Sequence, residues 1–108
     1  LDTRSEQSRS KFLHSHQPFI NDITALAQQV TNNPELAQRI AHKYRLKNTT
    51  GYGLNALIDY TDPIEIIKHL MIGSEGTLGF IADITYHTVI DHAHKSSAFI
   101  LIYNLNLN

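Results

Sequence analysis

The chain has 108 residues, the size of one domain with a core of its own. A formal net charge of −1 and a pI near 6.7 exclude the basic field that nucleic acid or an acidic membrane surface requires. There is no cysteine, which excludes disulfides and thiolate metal sites within it.

No apolar run approaches the ~20 residues of a membrane helix. Leu1 stands first with no secretory pattern behind it, and it reads as the start of a piece of a longer chain. In the polar opening, Asp2, Thr3 and Ser5 are each candidate helix caps. Phe12, Leu13, Ile20, Ile23, Leu26, Ala27 and Val30 then recur at helical spacing, which predicts one long helix bent at Pro18. Asn33-Pro34-Glu35 starts the next helix: a capping side chain, a first-turn proline and a carboxylate at the positive end. Its expected buried face is Leu36, Ile40 and Tyr44.

Residues 47–53 break the periodicity and read as a loop. Asp62-Pro63-Ile64-Glu65 has the makings of a capping box, and the helix that follows points Ile66, Ile67, Leu70 and Met71 inward. Gly73 is expected to end it in the left-handed conformation. After Gly79 the period falls to two. Phe80, Ala82, Ile84 and Tyr86 share one face, and Ile81, Asp83, Thr85 and His87 the other. Ala98 to Tyr103 is a second apolar run, continued in alternation to Asn108. The expected fold class is α+β: helices first, then an antiparallel strand pair joined by the polar residues 91–96.

The segment with most chemical content is Gly73-Ser74-Glu75-Gly76-Thr77-Leu78-Gly79, where glycine recurs every third residue between a helix end and a strand start. Such a turn lets backbone approach a ligand closely, or it simply caps a helix and turns; spacing alone leaves both open. Two familiar signatures do not fit. A dinucleotide fingerprint runs strand, glycines, helix, the reverse of the order here, and a phosphate-binding P-loop needs a Gly-Lys-Ser/Thr that is absent.

Together with Lys47-Asn48-Thr49-Thr50-Gly51-Tyr52, the glycine segment resembles the paired signature of FAD-linked oxidases of the vanillyl-alcohol oxidase (PCMH) type. That family includes D-lactate and D-2-hydroxyglutarate dehydrogenases. The match spans roughly residues 43–90, with a longer spacing because Tyr60-Thr61-Asp62-Pro63 and a helix intervene. The lead-in helices and Asn55-Ala56-Leu57 look most like large bacterial members fused to an iron–sulfur C-terminal part. The resemblance implies that residues 1–108 are the second half of a PCMH-type FAD-binding domain. It implies that Asn48, Thr49, Gly51 and Tyr52 in one loop, and Gly73, Ser74, Glu75, Gly76, Thr77 and Gly79 in the other, lie beside FAD. Phe80 and Ile81 match a strand start that lies against the cofactor. No catalytic residue is assigned, because the family's phosphate loop and substrate-binding residues fall outside the matched region. The implied partners are the remainder of the same polypeptide, a 2-hydroxy acid and an electron acceptor. The implied location is the cytoplasm or the periphery of the inner membrane.

Other features weigh less. His92 and His94, with His87 and Asp91 nearby, resemble a zinc or iron set but sit in a polar link, where exposed histidines are ordinary, and no metal is assigned. Arg39, Lys43, Arg45 and Lys47 read as a solvated helix end. Tyr52 either stacks on or hydrogen-bonds a flavin, or anchors its loop. Glu75 reads as structural, accepting amides that fix the glycine turn. The alternative function is a non-enzymatic α+β module that binds a protein through its sheet edge. Either way, uncharged residues 98–108 predict self-association, most simply as a homodimer through exposed strands.

Overall fold

The computed structural model describes residues 1–100, and within them the chain is helical. Five helices follow in order: α1 Glu6–Ser15, α2 Gln17–Thr31, α3 Pro34–Lys43, α4 Ala56–Asp59 and α5 Pro63–Met71.

The helix starts are local chemistry. Ser5 accepts from the Ser8 amide (3.3 Å), Asn33 from Leu36 (3.1 Å) and Asp62 from Ile64 (2.9 Å), each satisfying an amide with no intrahelical partner. Pro18, Pro34 and Pro63 all sit in the first turn of a helix, where a missing N–H costs nothing. Glu65 does not complete a reciprocal box with Asp62; its carboxylate pairs with Lys68 and lies 3.6 Å from Arg9. Gly73 follows the end of α5 at φ +78°, as the left-handed cap requires.

The single bent helix expected from Phe12 to Val30 is two helices. His16, at φ −121° and ψ 31°, separates them. Pro18 has no amide to continue the ladder from α1, so the chain restarts at Gln17.

The core lies where α2, α3, α4 and α5 meet. Val30, Ile40, Leu57 and Ile66 form its buried cluster, flanked by half-buried Ile23, Ala27, Tyr44, Ile58, Tyr60 and Leu70. Ile64 is fully enclosed beside it. Of the face expected on α3, Ile40 is buried and Tyr44 partly so, but Leu36 is exposed. No helix among the described residues is long and apolar enough to cross a membrane.

The expected α+β class is overturned: the described residues contain no strand. Residues 80–87 carry the period-two pattern, but residues 79–100 form no backbone ladder, so Phe80 and Ile81 begin no strand. The physical reason is that alternation specifies only how side chains divide between two faces. A strand also needs a second backbone to receive its amides and carbonyls, and none lies alongside. The second expected strand, 98–108, falls largely outside the described residues. Instead Phe80, Val89 and Phe99 are each at least 90% exposed. The radius of gyration is accordingly 19.5 Å, against roughly 13 Å for a compact chain of this length.

Candidate functional site

The two segments singled out in the sequence come together at the C-terminal end of α5. The turn after α5 is built on three departures into left-handed backbone within four residues. Gly73, Glu75 and Gly76 have φ of 78°, 52° and 80°. Glycine adopts this region freely, whereas a side-chain-bearing residue such as Glu75 pays about 1–2 kcal/mol for it. The turn closes on itself: the Thr77 amide donates to the Ser74 carbonyl (2.9 Å), and the Thr77 hydroxyl donates to the same oxygen (2.6 Å). Ser74 is thereby buried, the one buried polar residue among those described.

The opposing loop is held by an Asx turn and a tyrosine. Asn48 Oδ1 accepts from the Thr50 amide (2.9 Å), and Gly51 turns the chain at φ +77°. The Tyr44 hydroxyl, at the end of α3, donates to the Tyr52 carbonyl (2.6 Å) and accepts from the Leu54 amide (3.2 Å). That double contact aims Tyr52 at the glycine turn, where its hydroxyl lies 2.9 Å from Thr77 Oγ1.

Proton counting fixes the direction of this last bond. The single hydroxyl proton of Thr77 is committed to the Ser74 carbonyl, so Tyr52 donates and Thr77 accepts. Tyr52 therefore anchors its loop. Its proton is not free for a ligand, while its ring remains partly exposed for stacking.

The glycines are explained by backbone conformation rather than by close approach. A Cβ at Gly51, Gly73 or Gly76 would stand in open space, with nothing within 4 Å. Gly79 differs: a Cβ there would meet Met71 Cε at 3.1 Å, because the methionine lies across it. The Glu75 carboxylate is exposed, and among the described residues it makes no hydrogen bond, so it does not fix the turn as expected; Thr77 does. Phe80 is fully outside and Ile81 is exposed. Thr49 is exposed and touches neither segment's hydrogen bonds.

A second pair was not foreseen. Tyr60 and His69 stack with ring centroids 4.0 Å apart. His69 Nδ1 lies 2.8 Å from the Glu65 carbonyl and must carry the proton, which leaves Nε2 to accept from the Tyr60 hydroxyl at 2.9 Å. Nothing in the local sequence pairs these two residues; the signal is only their i,i+9 placement across the start of α5. Arg9 is also unforeseen. From α1 its guanidinium reaches Asp62 and lies 3.6 Å from Glu65, tying the first helix to the fifth. Burial by itself raises the Asp62 carboxyl, but the Ile64 amide and the Arg9 guanidinium outweigh it and hold the group below its ordinary range.

Arg39, Lys43, Arg45 and Lys47 are all exposed, and Arg45 spends its guanidinium on His42, 3.3 Å from the carbonyl and 3.1 Å from Nε2. Among the described residues no three His, Asp or Glu side chains converge on a common point. Two small cavities lie elsewhere among the described residues: about 220 Å³ beside Asn33, Leu36 and Arg39, and about 180 Å³ between α2 and the α4–α5 region. No family model, no curated protein and no solved structure matches this chain.

Proposed function

We propose that the chain is part of an FAD-dependent oxidoreductase that oxidises a D-2-hydroxy acid of the D-lactate or D-2-hydroxyglutarate class. In this reading the loop 47–53 and the turn 73–79 form one wall of the flavin site. The observation that supports it is the Tyr52–Thr77 hydrogen bond, which joins the two segments on which the family resemblance rests, although 25 positions separate them.

The residues fit one wall and no more. A flavin site encloses several hundred cubic ångströms, and neither of these two cavities reaches that size or touches the paired loops. The remainder of the same polypeptide then supplies the phosphate-binding loop, the substrate-binding side chains and the route to an electron acceptor. When bound, the flavin supplies the chemistry, accepting the hydride from the α-carbon of the acid. This chain's own contribution is to hold backbone and the Tyr52 ring in fixed positions beside it. Lacking cysteine, the chain cannot itself ligate an iron–sulfur cluster; any cluster belongs to a C-terminal part. The location that accompanies this reading is the cytoplasm or the periphery of the inner membrane.

The test is anaerobic titration of the polypeptide that carries this segment. The expected result is a yellow protein whose flavin absorbance bleaches with a D-2-hydroxy acid and not with its L-enantiomer. A protein that purifies without flavin, or is bleached by neither enantiomer, overturns the reading. A second reading, a non-enzymatic interaction module, is supported by a different observation: the exposed apolar side chains of residues 79–100.

A further inference from the structure

Residues 80–100 form no regular secondary structure, bend at Ala93 and, among the described residues, give and receive no backbone hydrogen bond. Among the described residues, their one hydrogen bond to the helical body is Arg4 Nη1 donating to Thr85 Oγ1 at 3.1 Å. Unpaired backbone beside exposed Ile84, Tyr86, Val89 and Ile90 is a template for another chain.

We propose that residues 83–95 pair antiparallel with the same residues of a second copy of this chain, in the register that sets Val89 opposite Val89. The two-fold axis passes between the two valines, so residues equally distant from Val89 on opposite sides face each other.

Charge complementarity selects this occupant and this register. Asp83 falls opposite the partner's Lys95, and His87 opposite the partner's Asp91; the two-fold axis repeats both pairs. These four residues are spaced by four, so they lie on one face of the ribbon, while Ile84, Tyr86 and Ile90 lie on the other. Sliding the register by one pleat in either direction places Asp91 opposite Thr85 or Val89 and matches none of the four.

In the single chain, Lys95 pairs instead with Asp91, but both side chains are more than two-thirds exposed, and such a pair contributes little. Dimerisation exchanges it: Asp91 goes to the partner's His87 and Lys95 to the partner's Asp83. Each lysine keeps a carboxylate partner, each Asp91 gains an imidazole opposite it, and the ladder satisfies the stranded amides and carbonyls. This inference is independent of the flavin reading and stands or falls separately.

The experiment is sedimentation of the 108-residue chain over a dilution series, with charge swaps. The wild type is expected at twice its 12.2 kDa mass, dissociating on dilution. Asp83→Lys alone and Lys95→Asp alone each turn two attractions into repulsions, and each is expected to weaken association at least about tenfold. The two single variants mixed in equal amounts recover the dimer, because a chain with lysine at both positions then faces one with aspartate at both; the double variant recovers it alone. Overturning results are a wild-type chain that stays at single mass, an open series of higher masses, single variants that associate like wild type, or a mixture that does not recover.

Discussion

The Thr77 hydroxyl receives the proton of Tyr52 at 2.9 Å and gives its own to the Ser74 carbonyl at 2.6 Å, so one threonine both closes the glycine turn and fastens it to the opposing loop. A double-mutant cycle reads this directly. Tyr52→Phe removes one partly exposed hydrogen bond and is expected to cost roughly 0.5–1 kcal/mol in urea denaturation. Thr77→Val removes two and is expected to cost more. Added to Thr77→Val, Tyr52→Phe should then cost almost nothing, because its acceptor is already gone.

Backbone conformation in the turn gives a prediction of opposite signs at neighbouring positions. Gly76→Ala forces a Cβ into φ +80° and is expected to destabilise by about 1–2 kcal/mol. Glu75→Gly relieves the same strain at φ +52°, partly offset by a freer unfolded chain, and is expected to stabilise by less than about 1 kcal/mol. Gly53→Ala should be nearly neutral, since its Cβ would meet neighbours at 3.5 Å or beyond. Thermal or urea midpoints of the three variants check the order.

Asp62 makes stability fall in acid. Its folded carboxyl titrates below the unfolded value near 4, so its contribution is present above that pH and is lost as pH drops through the folded value. Side-chain exposure of 38% keeps that contribution under about 1 kcal/mol. Asp62→Asn keeps an N-cap but carries no charge. It is expected to show a smaller loss of urea midpoint between pH 7 and pH 3 than wild type does.

These interactions differ in how far the sequence discloses them. The three caps were legible because Ser5, Asn33 and Asp62 each bond an amide two or three residues ahead, and no tertiary information is needed. The left-handed Gly73 was legible for the same reason. The break at His16 was not, because the apolar stripe runs on through it and only the missing amide of Pro18 interrupts the ladder. The strand pair failed for a deeper reason. The alternation from Phe80 to His87 is real, but a sheet is a relation between two segments, and pattern in one cannot supply the other. The paired loops were reached through the family resemblance. Tyr44, which aims Tyr52, was expected only as a core residue, since nothing in its surroundings marks a hydroxyl that bridges to positions 52 and 54.

Because the core is small, it should be sensitive at its centre. Ile66→Ala empties a fully buried site in the α2–α3–α4–α5 cluster and is expected to cost about 2–5 kcal/mol, a large share of the stability of a domain of this size. Ile72→Ala, at 63% exposure, should leave the circular-dichroism melting curve nearly unchanged.

If the paired loops wall a flavin, the flavin content of a turn variant reports it. In the polypeptide that carries this segment, Gly76→Val cannot hold φ +80° and should distort the turn that Tyr52 grips, while leaving the helices folded by circular dichroism. The predicted result is a protein of unchanged helix content that purifies with most of its flavin lost. A Gly76→Val protein carrying a full flavin load would show that the turn is no part of a flavin wall.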